Sequence, residues 1–179
     1  LDETTHTGDY TLPIEVGPRA SFGGFRTAGR RQAFGVEHIA VLARFKPGEI
    51  YDSRRVDDLR DALVATSLFS TVTVEPVRTG VIREDGTEVV DLLVRQVRGR
   101  PRTIVGELGY STGQGLRAEA SWTHRNLFPP EGALVIAGVL GTQEQSGTVT
   151  FRRSNWRQRD RTLSFGIGAE HNDYDAYES

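Results

Sequence analysis

The second half of the chain consists of segments in which apolar and polar residues alternate one by one, and this period of two constrains the fold more than any other feature. One segment carries apolar side chains at every second position, at Leu116, Ala118, Ala120 and Trp122. Another does so at Leu163, Phe165, Ile167 and Ala169. Such alternation is typical of β-strands whose two faces meet different surroundings. Because no helical period appears after Pro101, we expect five strands joined as an antiparallel meander.

The first half of the chain contains two segments with a helical period. Residues 36–43 carry apolar side chains at spacings of three and four, which predicts a helix with one buried face. A second helix is capped by Asp52 or Ser53 and carries apolar side chains at Val56, Leu59 and Leu63. The charged residues between these three, Asp58 among them, predict a solvated outer face.

Short strands surround the two helices. One is indicated near Phe22, and two alternating segments, residues 70–77 and 89–97, flank a turn at residues 84–86 and so predict a hairpin. The expected order is β-α-α-β-β, an α+β sandwich of one sheet against a helix pair.

Charge and composition exclude several classes of function. The formal net charge is -2, so the chain has no basic field to gather nucleic acid, and it has no cysteine for disulfides or thiolate chemistry. No apolar run is long enough for a membrane-spanning helix, a test that does not apply to a β-barrel, whose strands alternate. Residues 1–9 lack the features of a signal peptide, so we expect any targeting signal to have been removed or to lie upstream.

Several residues of the first half resemble the POTRA signature of the BamA- and TamA-type assembly factors of the bacterial surface antigen family. They are Phe45-Lys46-Pro47-Gly48, Tyr51, Val56, Leu59, Leu63, Phe69 and Val72-Thr73-Val74. In that signature a buried Phe follows the second helix, which makes Phe69 an expected core residue. A Gly usually stands two residues before the Phe, and here Ser67 holds that place.

The second half extends the resemblance. Residues 109–113 and the strand from Leu116 to Trp122 are similar to the first barrel hairpin of the same superfamily, the TamA branch being the closer likeness. The resemblance implies three parts: the end of a preceding POTRA domain or a linker at residues 1–17, a POTRA domain at 18–99, and the first strands of a truncated outer-membrane β-barrel at 100–179.

The resemblance also implies a function without bond chemistry, in the outer membrane, with the POTRA domain in the periplasm. The expected partners are unfolded outer-membrane proteins, other periplasmic or inner-membrane assembly components, and outer-membrane lipid. Clients would add to a free sheet edge by β-augmentation, and the barrel would aid their insertion. The candidate edge residues are Phe22, Phe25 and Arg26 on one strand, and Thr71, Thr73 and Glu75 on another. Two alternatives are a two-partner secretion pore that exports a dedicated substrate and the barrel anchor of a fused hydrolase.

No catalytic, cofactor or metal site is predicted. Residues 109–113 match the G-x-S-x-G elbow of hydrolases, but a strand and not a helix follows Ser111, so we expect a hairpin turn there. His6, His38, His124 and His171 are scattered, and the acidic residues Asp173, Asp175 and Glu178 lack the glycine of a calcium loop.

A basic, aromatic cluster follows the strand that carries Phe151. Its members proposed for a membrane interface are Trp156, Arg157, Arg159 and Arg161. Trp favours the headgroup level and Arg binds lipid phosphate, although a solvated turn is an open alternative. If the first barrel strand rises from the POTRA domain, this turn and residues 126–131 lie at the end of the barrel nearest that domain, and residues 111–115 lie at the opposite end.

The expected sheet also predicts how the isolated chain behaves in water. Because it has an apolar face and an unpaired edge, we expect the chain to self-associate.

Overall fold

The computed structural model describes residues 17–112 and 115–173. The strand expected at residues 10–16, and with it nearly all of segment 1–17, falls outside the described residues. The first five elements are β1 (Ala20–Ala28), α1 (Val36–Leu42), α2 (Ser53–Ala65), β2 (Phe69–Ile82) and β3 (Glu88–Arg98). The remaining five are β4 (Arg102–Ser111), β5 (Gly115–Phe128), β6 (Gly132–Gly141), β7 (Glu144–Arg153) and β8 (Leu163–Asn172).

Elements β1 to β3, here called the α/β unit, form a three-stranded sheet with two helices on one face. The strand order is β1-β3-β2, with β3 parallel to β1 and antiparallel to β2. The expected order of elements, β-α-α-β-β, is confirmed. Phe22 stacks on Phe45 with ring centroids 3.9 Å apart, and Leu59, Leu63 and Leu92 are buried beside them. The core therefore lies between the sheet and the helix pair.

Local chemistry fixes both ends of α2. The Asp52 side chain accepts a hydrogen bond from the backbone N–H of Arg54 at 3.0 Å, as the predicted cap requires. At the other end Ser67 adopts a φ of +56°, in the left-handed region that a glycine adopts without steric cost. Ser67 thus makes, at some steric cost, the turn for which the resembling family uses glycine.

The expectation that Phe69 lies in the core is only partly right. Its neighbour Leu68 is 3% exposed and belongs to the buried cluster, whereas Phe69 is half-buried and packs edge-on against Phe34 at 5.1 Å. The difference arises because Leu68 precedes β2 and faces the helices, so the first residue of the strand lies at the margin of the core.

The five predicted strands after Pro101 form one antiparallel sheet in the order β4-β5-β6-β7-β8. Each strand pairs with its neighbours in sequence, and within the described residues the outer edges of β4 and β8 pair with no other strand. Helices occur only before this sheet in the described residues, and neither α1 nor α2 is long and apolar enough to cross a membrane.

Candidate functional site

The β2 edge of the α/β unit is open. β2 has 14 residues and pairs with β3 on one side, while its other side has no strand partner within the described residues. Thr71, Thr73 and Glu75 are exposed along it. Pro76 also lies on this strand, a residue that sheets tolerate at edges because it has no N–H to donate. This edge offers main-chain donors and acceptors to an extended chain.

The β1 edge, the other candidate, is partly covered. The backbone N–H of Phe22 donates to Glu49 O at 2.8 Å, and that of Tyr51 donates to Ala20 O at 2.9 Å. The side chain of Phe22 is 1% exposed, and Phe25 packs partly buried against Phe45. These contacts make β2 the longer open edge, a choice that the sequence left undecided. Whether clients bind at either edge stays a prediction.

The third candidate on β1, Arg26, lies at the surface of the sheet. Its guanidinium is 2.7 Å from the carboxylate of Asp91 on β3, which also accepts the N–H of Gly24 at 2.8 Å. On β2, Glu75 forms a comparable pair with Arg95 at 3.1 Å. Both side chains of the Glu75–Arg95 pair are exposed, so this pair contributes little stability.

The α/β unit contacts the turn between β7 and β8 through ion pairs. Arg159, 14% exposed at its side chain, donates to both carboxylate oxygens of Asp58 on α2, and to Leu42 O at 3.1 Å. The hydrogen bond from Arg159 lowers the pKa of Asp58. Asp160, the next residue in the turn, accepts a hydrogen bond from Arg44 at 2.6 Å. The face of α2 around Asp58 is therefore not solvated as expected but contacts the second half of the chain.

A second contact joins α1 to the turn between β5 and β6. His38 Nε2 is 2.6 Å from Glu131 Oε1, and both side chains are largely buried. Asn155 Nδ2 donates to the same carboxylate at 2.9 Å and 3.1 Å, and Asn126 Oδ1 accepts the N–H of Glu131 at 3.0 Å. The expectation that these two turns lie on the side of the α/β unit is thus confirmed by their contacts.

One face of the five-stranded sheet is apolar because of the strand register. Cα pairing aligns one apolar residue from every strand in a single row, made of Ile104, Trp122, Ile136, Val149 and Ile167. The segments that the sequence singled out on β5 and β8 therefore share one face. Four residues along their strands from this row, Leu108 and Leu140 extend it and are 81% and 71% exposed. We call this surface the apolar face.

The opposite face of the sheet is mixed in polarity. Its rows include Glu107, Glu119, Val139, Ser146 and Glu170, aligned across the five strands. An apolar face opposite a mixed face is the pattern of a sheet that separates two different environments.

Aromatic side chains lie at both ends of the apolar face. Tyr110 stands at the end of β4 and is 75% exposed. At the other end Phe128 and Phe151 pack edge-on at 5.6 Å, and Phe165 pairs with Phe151 across β7 and β8. The row from Ile104 to Ile167 therefore lies between two aromatic margins.

The turn between β7 and β8 contains all four predicted membrane-interface residues. Two guanidiniums lie over the indole of Trp156, with Arg157 Cζ at 4.9 Å and Arg161 Cζ at 5.5 Å from the ring centroid. Arg157 and Arg161 are exposed, whereas Arg159 is bound to α2. A membrane role for the turn stays a prediction. It concerns Trp156, Arg157 and Arg161, which do not bind helix α2.

The geometry at Ser111 matches a hairpin. Ser111 is the last residue of β4 and pairs with Gly115, the first of β5, so a strand follows it as expected; residues 113 and 114 of the motif fall outside the described residues. No three His, Asp or Glu side chains within residues 17–112 and 115–173 form a group that could hold a metal ion. Asp175 and Glu178 of the acidic segment, and His6, lie beyond the described ranges.

Comparison with known proteins identifies the fold. No protein-family model matches the chain. Among solved structures, the chain is similar to the crystal structure of BamA from Haemophilus ducreyi lacking POTRA domains 1–3, with a TM-score of 0.76 and 18% sequence identity. The match covers 91% of this chain and 30% of that one, so the chain spans about a third of the neighbour's length. The chain therefore has a BamA-like fold.

Proposed function

We propose that this chain is a non-enzymatic part of an outer-membrane protein assembly factor. In this proposal residues 18–99 are a periplasmic POTRA domain, residues 100–179 are the first strands of a transmembrane β-barrel, and the TamA-type factors are the nearest branch. The fold likeness supports it, and the residues that resemble the POTRA signature favour the domain assignment.

The observation that carries the membrane part is the row of Ile104, Trp122, Ile136, Val149 and Ile167. Four of the five side chains in this row are exposed and Trp122 is half-buried, which suits contact with hydrocarbon. Strands β4, β6, β7 and β8 have 10 residues each, within the roughly 9–11 that a tilted membrane strand needs. The same exposed face would drive self-association of the isolated chain in water, detectable by light scattering.

The open β2 edge supports client binding by β-augmentation. Main-chain hydrogen bonds give affinity that depends little on client sequence, which a general assembly factor needs. Binding of this kind needs no contribution from the hydroxyl of Ser111. We therefore expect Ser111→Ala to leave client binding unchanged.

Site-specific crosslinking tests the proposal. A photoreactive residue at Thr71, Thr73 or Glu75 should capture a urea-unfolded outer-membrane protein diluted into buffer, and two unrelated clients should give similar yields. The same residue at Arg60, on the exposed surface of α2, is the matched control and should capture neither client. Capture at Arg60 alone, or at none of the four positions, would contradict a client-binding role for β2.

A further inference from the structure

The turn between β7 and β8 carries more positive charge than its contacts neutralise. Five arginines lie between residues 152 and 161, against one acidic residue, Asp160. Asp160 pairs with Arg44, and Arg159 pairs with Asp58. The other four, Arg152, Arg153, Arg157 and Arg161, have no carboxylate within salt-bridge distance among the described side chains. Residues 152–161 are here called the basic turn.

Two of these four arginines are arranged around Trp156. Their guanidiniums lie within the roughly 6 Å at which a cation interacts with an aromatic ring, at 4.9 Å for Arg157 and 5.5 Å for Arg161. The turn is closed by a hydrogen bond from the N–H of Trp156 to Arg161 O at 2.8 Å. Within the described residues the guanidiniums of Arg157 and Arg161 donate no hydrogen bond, so their N–H groups remain available to a ligand.

The basic turn lies at the aromatic margin of the apolar face. Arg153 pairs with Leu163, and the next row on the same face contains Phe151 and Phe165. If the apolar face contacts hydrocarbon, as proposed above, the basic turn stands at the level of the lipid headgroups. The ion pair of Arg159 with Asp58 fixes the turn to α2, so the α/β unit lies on the same side of the bilayer.

We propose that the basic turn binds the phosphate groups of anionic phospholipids, with Arg157 and Arg161 as the ligands and Trp156 at the interface. A guanidinium donates two parallel hydrogen bonds to phosphate oxygens, which suits this ligand better than a single ammonium would. Arg159 and Asp160 have a different task, since they hold the turn against the helices. This inference rests on the proposed membrane location of the sheet.

Tryptophan fluorescence of the whole chain tests the inference. The chain has two tryptophans, so the Trp122→Phe variant leaves Trp156 as the sole reporter. Vesicles of phosphatidylcholine with phosphatidylglycerol should shift its emission to shorter wavelength and bind the chain more tightly than phosphatidylcholine alone. Inorganic phosphate without lipid should produce no shift.

Matched double variants separate this site from general charge attraction. Each basic residue near an anionic surface contributes about fivefold in affinity, so R157Q with R161Q should weaken binding to the anionic vesicles by roughly 30-fold. R54Q with R78Q removes the same charge from the α/β unit, outside the basic turn, and should change binding less than about threefold. Equal losses in the two double variants would overturn the inference.

The lipid comparison distinguishes two kinds of failure. If the chain binds phosphatidylcholine vesicles and phosphatidylglycerol adds neither affinity nor an emission shift, the phosphate site is wrong while the membrane location stands. Binding to neither vesicle would contradict the membrane location and the phosphate site together.

Discussion

Arg159 and Asp58, which are 101 positions apart in the chain, form a two-pronged ion pair between the β7–β8 turn and helix α2. The Arg159 side chain is 14% exposed, and its Nη2 lies 2.9 Å from Asp58 Oδ1. Arg159 also donates to Leu42 O, so one side chain contacts both the carboxylate and the segment that ends α1. Together with His38 and Glu131 it fixes the α/β unit against the five-stranded sheet.

We expect a double-mutant cycle to detect this contact. The variants Asp58→Asn, Arg159→Gln and their combination should give a coupling free energy of about 1–2 kcal/mol, because the charged hydrogen bonds of Arg159 are largely removed from water. The exposed pair of Asp57 and Arg60 is a control on the same helix and should couple by less than about 0.5 kcal/mol. Denaturant unfolding measures both, and equal coupling for the two pairs would contradict the assigned contact.

The same pair predicts an acid-dependent loss of stability. Arg159 lowers the pKa of Asp58 in the folded state, so the charged carboxylate stabilises the fold above its unfolded pKa of about 4. This contribution is lost as pH falls through the lower, folded pKa. The free energy of unfolding of the parent should therefore exceed that of Asp58→Asn at pH 6, and the difference should shrink below pH 4. A difference that stays constant from pH 6 to pH 3 would rule out this linkage.

Periodicity was sufficient to predict the helices, the hairpin and the number of strands, because burial of one face leaves a local pattern. Alternation predicted which residues share a face within one strand, but not that Ile104 and Ile167 belong to one row across the sheet. The register between strands depends on turns whose lengths do not follow from alternation. The pairing of Arg159 with Asp58 could not be predicted from the sequence. A run of arginines around a tryptophan carries no local signal that separates the one bound to Asp58 from those left exposed.

The left-handed conformation of Ser67 predicts that glycine is favoured there. A residue with a side chain at this φ costs about 1 kcal/mol, partly offset in the glycine variant by a more flexible unfolded chain. Ser67→Gly should therefore raise the free energy of unfolding by about 0.5 kcal/mol, whereas Ser67→Val should lower it. Thermal melting of the three proteins gives the order, and a glycine variant less stable than the parent would refute the assigned backbone conformation.

Two phenylalanines of the α/β unit should differ in their effect on stability. Phe22 is fully buried against Phe45, whereas Phe69 is half-buried at the core margin. Phe22→Ala should cost about 4 kcal/mol and Phe69→Ala about 2 kcal/mol, since the same side chain is removed from different depths. Comparing unfolding midpoints tests this ranking. A larger loss of stability in Phe69→Ala than in Phe22→Ala would contradict the placement of Phe69 at the margin of the core.

Cysteine labelling along β6 tests most directly whether the apolar face contacts lipid. The chain contains no cysteine, so single substitutions at consecutive positions each introduce a unique thiol. In bilayer vesicles, cysteines replacing Leu134, Ile136 and Leu140 should react at least about tenfold more slowly with a hydrophilic maleimide than those replacing Val135 and Ala137. The alternation should disappear once detergent and denaturant unfold the protein. Equal rates at neighbouring positions, or faster labelling on the apolar face, would contradict a membrane-spanning sheet.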